Sequence, residues 1–193
     1  MAPVKSDPSK VHESFERHRA SPEVSIDQYV RSRQLALAEA VLARHRVYLD
    51  KKYWILVRDA AMQRSASEAA HSLLASLRQR VKSGKTICLI SESVFIELMK
   101  QSDLETRKVT AALIDDLSEG VTLIPQPTRV ATEVAHFIHS QGGRSVYLLE
   151  NLVWTKLSYV LGVQHPLSEA FDPAEMRVIQ KAFFDHMWAV LFG

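Results

Sequence analysis

The sequence predicts an α/β fold in three layers, helices covering both faces of a small, mostly parallel sheet. Three observations predict it. Short apolar runs recur at 46–50, 85–90 and 121–124, as strands buried on both faces require. Segments with helical periodicity separate them. A helix-starting or chain-turning residue stands at the end of each run: Asp50, Ser91 and Pro125.

Element by element, residues 1–24 carry Pro3, Pro8 and Pro22 and read as a loose polar arm. Ser25 opens a helix to about Arg44, with Gln28 completing a capping box and Ile26, Tyr29, Val30, Leu37 and Val41 as its stripe. The arm and this helix, 1–45, precede a domain at 46–193. Arg46-Val47-Tyr48-Leu49-Asp50 is the first strand, followed by helices at 53–63 and from Ser67 to Ser83-Gly84. Lys85 to Ile90 is the second strand. Ser91 and Asp103 each cap a further helix, and Val121 to Ile124 is the third strand. Thr128 opens a helix with Val130, Val134, Phe137 and Ile138 aligned. A helix is expected from Val146 to Leu161, and a last one from Pro173 to about Trp188.

Composition narrows the function classes. The chain has 193 residues, of which 47% are hydrophobic and 24% charged, which excludes disorder as the main state. Its one cysteine, Cys88, excludes a disulfide within the chain and reads as a buried thiol. With no secretory pattern at the N-terminus, a cytoplasmic location is expected. No run approaches a membrane span.

Open parallel sheets gather chemistry at the carboxyl ends of their strands. Asp50 stands there, as a helix cap or as a site residue. Glu97 lies beside the side of its helix that Val94, Leu98 and Gln101 define. Glu150, on the expected 146–161 helix, falls about 40° from Val146, among Val153, Leu157, Val160 and Leu161. A carboxylate in such a stripe is costly unless paired or bound to a metal; Lys156 is its neutralising alternative. Glu133 sits near the apolar edge of its helix. Asp185 lies opposite Met176, Ile179, Phe183 and Met187 and reads as solvated.

The order of these pieces resembles the PIN domain. The resemblance rests on Val47-Tyr48-Leu49-Asp50, on Ile90-Ser91 followed by Glu97-Leu98, and on Glu150-Asn151-Leu152-Val153. It spans about residues 46–162 and implies a divergent or shortened member. PIN domains are typically metal-dependent ribonucleases. The resemblance therefore implies that Asp50, Glu97 and Glu150 hold Mg²⁺ or Mn²⁺, with Asp185 as a late fourth acid. A metal-bound water would then cleave RNA. Lys51, Lys52, Lys82 and Lys85 are the expected contacts to the RNA backbone, with Arg78 and Arg80 beside them. The chain departs from the pattern at Lys51-Lys52, where a small polar residue is usual, and at Glu150, where Asp is usual. No strand is apparent ahead of the fourth acid. The alternative is a non-catalytic module that binds a protein partner or a second copy, including one half of a toxin–antitoxin type pair.

Other patterns are set aside. Ser83-Gly84-Lys85-Thr86 ends like a phosphate-binding loop, but a helix precedes it and a strand follows. Glu68-x-x-His71 and Glu133-x-x-His136 have di-iron spacing, but strands oppose a helical bundle. The net charge of +2 conceals an asymmetry. Residues 47–82 hold 7 basic and 3 acidic groups, whereas 83–193 hold 9 and 13. That leaves a nucleic-acid partner open.

Overall fold

The computed structural model describes residues 8–65, 67–144, 146–162 and 166–192. In chain order these are α1 (Pro8–Arg19), α2 (Ile26–Leu42), β1 (His45–Tyr48), α3 (Lys51–Ala61), α4 (Glu68–Lys82) and β2 (Thr86–Leu89). Then follow α5 (Glu92–Met99), α6 (Leu104–Ser118), β3 (Val121–Leu123) and α7 (Gln126–Gln141). After a 3₁₀ turn at Leu149–Asn151 come β4 (Trp154–Lys156), α8 (Leu157–Leu161) and α9 (Pro173–Ala189).

Side chains start these helices where the sequence placed them. Ser25, Asp50, Ser67, Ser91 and Asp103 each accept a backbone N–H three residues on, and the Ser25–Gln28 capping box is complete. Asp172 caps α9, with Pro173 in its first turn. α6 ends on Glu119 and Gly120, both at positive φ (51° and 68°).

The sheet is where the structure departs from the sequence reading. β1 and β2 pair in parallel, His45 opposite Thr86 through Tyr48 opposite Leu89. β3 and β4 pair antiparallel, Val121 opposite Lys156 through Leu123 opposite Trp154. One parallel bridge, Ile90 to Thr122, lies between the two pairs, and Thr122 Oγ1 donates to Ile90 O at 2.7 Å. Helix accounts for 66% of the described residues and strand for 8%. The expected three-layer α/β/α architecture with a mostly parallel sheet, and with it the PIN fold, is therefore corrected to a helical assembly holding two two-stranded sheets. The physical reason is length. Runs of three or four residues leave most of the burial to helix packing.

Two further expectations change. The N-terminal arm is not loose along its whole length, because α1 forms and packs along α9. The expected 146–161 helix is replaced by the 3₁₀ turn, β4 and α8. Trp154 and Thr155, an aromatic and a β-branched residue, pair with β3 instead of continuing a helix.

β2 organises the interior. Cys88 and Ile90 enter one cluster with Leu49, Trp54, Val57, Leu98, Leu113 and Leu117. Ile87 and Leu89 enter another with Ala38, Val41, Val121 and Trp154. This two-sided burial is what the continuous apolar run required. Cys88 is fully buried, and burial pushes its thiol up to about 11, so it is an inert core residue. A third cluster joins Val30, Tyr159, Phe184 and Trp188, with Phe184 edge-on to Tyr159 at 5.0 Å. No helix of the described residues is long and apolar enough to cross a membrane.

Candidate functional site

Local geometry at the carboxyl ends of β1 and β2 follows from two caps. Asp50 accepts Tyr53 N–H at 3.1 Å, and Ser91 accepts Val94 N–H at 3.4 Å. Tyr48 Oη lies 3.1 Å from Ser91 Oγ, which lies 3.1 Å from Ser93 Oγ. Lys51 Nζ pairs with Glu97 Oε2 at 3.1 Å, both side chains about half exposed. Beside them an open cavity of about 330 Å³ runs between Ser91–Ser93, Ile96 and the Leu123–Pro127 segment. Asp50 and Glu97 thus reach the same end of the sheet, as expected, but Asp50 serves as a cap and Glu97 is neutralised by a lysine.

The other expected acids lie elsewhere. Glu150 sits exposed on the 3₁₀ turn, which packs by α2, and not within an apolar helix stripe. Lys156, its expected neutraliser, donates instead to Glu119 O. Glu133 is exposed, 3.7 Å from Arg129. Among the described residues, no group of three or more His, Cys, Asp or Glu could hold a metal ion. The arrangement Asp50, Glu97 and Glu150 were expected to make is not formed. His71 and His136 do not pair with their neighbouring glutamates. Each lies 3.0 Å from a carbonyl oxygen, those of Ser65 and Tyr147.

The four expected RNA-contacting lysines divide between the two ends of β1 and β2. Lys51 and Lys52 follow β1, whereas Lys82 and Lys85 precede β2. Parallel strands of four residues set these ends roughly 13 Å apart.

Sequence reasoning missed two features. Asp185, read as solvated, is largely buried. Its carboxylate accepts from Ser14 Oγ at 2.6 Å and Tyr29 Oη at 2.6 Å, and His18 Nε2 lies 3.0 Å away. Burial alone raises the pKa of Asp185. The hydrogen bonds from Ser14, Tyr29 and His18 outweigh it and hold the carboxyl below its usual range. Burial, then Asp185, pushes the Tyr29 phenol up to about 12. Lys181 Nζ and Arg177 Nε donate to Ser21 O and Pro22 O along the same seam. These contacts fasten α1 and α2 to α9. His18 is 4% exposed, whereas Ser14 and Asp185 line an open cavity of about 220 Å³ together with Lys10, Arg17 and Arg33.

The second feature is α7. None of its residues is buried. Val130, Val134, Phe137 and Ile138 are 50–63% exposed, and Val146, Tyr147 and Leu148 add to the apolar surface. The aligned stripe was legible in the sequence; that no residue of it is buried among the described residues was not. No family model matches this chain, nor does any curated protein or solved structure.

Proposed function

We propose that this chain is a protein-docking module whose recognition element is α7. One observation carries the reading: on a sixteen-residue amphipathic helix, every residue of the apolar stripe stays half or more exposed among the described residues. A surface helix ordinarily spends that stripe on the core. Without such packing a helix of this length is marginal in water. Burying a large aliphatic or aromatic side chain is worth about 1.5–3 kcal/mol, so a partner covering four half-exposed ones has a substantial driving force. Contiguous apolar patches of this kind mark interaction sites.

The chemistry of the face selects the partner. Arg129 and Glu133 lie on one flank, near enough to offset each other, and the stripe itself carries no charge. A polyanion such as RNA finds no free row of cations there. An uncharged apolar helix face does fit. The expected metal-dependent cleavage of RNA has no such support, because its carboxylates do not converge.

The double variant Val134→Glu/Phe137→Glu tests the reading. Thermal stability is expected to hold while binding of an apolar fluorescent dye falls several-fold. Undiminished dye binding overturns the docking reading. Cleavage of labelled RNA that needs Mn²⁺, stops with EDTA and is lost in Asp50→Asn/Glu97→Gln replaces it with hydrolysis.

A further inference from the structure

We infer that the cavity between α5, α6 and the Phe192 segment is a binding site for a small amphipathic carboxylate, an apolar chain that ends in a charged carboxyl group. The cavity measures about 450 Å³, within the range of ligand pockets. Its walls follow from helix spacing. Phe95 and Met99, four residues apart, share one face of α5. Leu104, Arg107, Lys108 and Ala111 fall within about 100° of arc on α6. Phe192 closes the third side. Its ring centroid lies 5.1 Å from that of Phe95, and its N–H donates to the Asp115 carboxylate. Ala111 is the small residue of the α6 wall and leaves room that a larger side chain would take. No residue of α7 takes part, so the site stands apart from the docking reading.

The chemistry of the walls selects the ligand. The aromatic and aliphatic side chains give an apolar lining, and the Met99 thioether adapts to an irregular chain. Arg107 and Lys108 add two positive charges, and no carboxylate stands among the lining residues. Among the described residues neither head group has an ion-pair partner. Asp103, which caps α6, is taken by Arg64 and Thr106, and Asp115 by Phe192. Glu105 lies outside the lining. The guanidinium fork of Arg107 matches a carboxylate in bidentate geometry, and Lys108 adds a second charge beside it. An inorganic anion would leave the apolar wall wet. A neutral hydrocarbon would leave both charges unpaired. A carboxylate with an apolar body satisfies the two at once.

Titration calorimetry of the full chain near neutral pH tests the inference, with decanoate as the probe and decanol as its uncharged counterpart. Decanoate is expected to bind one to one and roughly tenfold more tightly than decanol, the scale of a hydrogen bond to a charged group. Arg107→Gln/Lys108→Gln is expected to lose that tenfold advantage and to leave decanol binding unchanged. Both side chains are exposed, so this variant keeps the fold. Ala111→Trp fills the recess and is expected to abolish binding of both probes. Val134→Glu/Phe137→Glu is expected to bind decanoate as the native chain does. Absent decanoate binding, equal affinity for the two probes, or native decanoate affinity in Arg107→Gln/Lys108→Gln overturns the inference. So does native affinity in Ala111→Trp. Decanoate binding that is lost in the α7 variant instead puts the probe on the stripe, which overturns the cavity site and leaves the docking reading standing.

Discussion

Asp185 is the residue whose surroundings differ most from its sequence reading. Helix arithmetic placed it opposite Met176, Ile179, Phe183 and Met187, but the buried side of α9 carries Val178, Lys181, Phe184 and Trp188 instead. Asp185 stands four residues from Lys181 and three from Trp188 on that side, and it meets α1 and α2 rather than water. No local pattern carries that information, since Ser14, His18 and Tyr29 lie more than 150 positions away. Asp50 is the contrary case. Both of its readings placed it at the end of the first strand, and the cap is made there. The linkage signs at the Asp185 cluster give a test. The Asp185 pKa is depressed, so its contribution is held above about pH 4 and is lost as pH falls through the lower native value. The Tyr29 pKa is raised, so its contribution is full below about pH 10 and fades as pH rises toward about 12. Asp185→Ala should cost about 3 kcal/mol near neutrality, because it strands buried donors. Melting curves should show Asp185→Asn flattening the acid limb and Tyr29→Phe flattening the alkaline one. Unchanged limbs would remove the cluster from the stability balance.

Among the elements, caps made most helices legible, because a cap is chemistry confined to four residues. β4 was illegible for the opposite reason. Trp154-Thr155-Lys156 becomes a strand only through a partner more than thirty residues upstream, and the apolar spacing around it also satisfied a helix. The same ambiguity moved Glu150 from an imagined apolar stripe to an exposed turn. The end of α8 depends on a close approach. A Cβ at Gly162 would collide with Met187 Cε and lie 2.8 Å from Ser158 O. The methionine can swing aside, but the backbone carbonyl cannot. Gly162→Ala is therefore expected to destabilise by about 1–3 kcal/mol, lowering the melting temperature by roughly 2–4 °C per kcal/mol in a chain of this size. Adding Met187→Ala should recover only part of that loss. Full recovery would show that the side chain alone enforces glycine.

Taken as a whole molecule, the charge asymmetry read from the sequence exists but does not build one basic face, because the lysines of 47–85 divide between opposite ends of the β1–β2 pair. The two-sided burial of β2 was legible, since a continuous apolar run demands it. The closing of the chain upon itself was not. The α1–α9 seam joins Ser14 to Asp185 across 171 positions. Bringing such distant segments together carries a loop-closure entropy that nearer pairings such as β1 with β2 largely escape. The seam is thus expected to form after the folding barrier is crossed. Ser14→Ala should speed unfolding about tenfold, through the loss of one hydrogen bond to a charged group, and leave refolding nearly unchanged. An equal slowing of refolding in stopped-flow traces would place the seam in the nucleus. A seam that closes last also opens first, so α1 can exchange its amides with solvent while the interior around β2 stays shut.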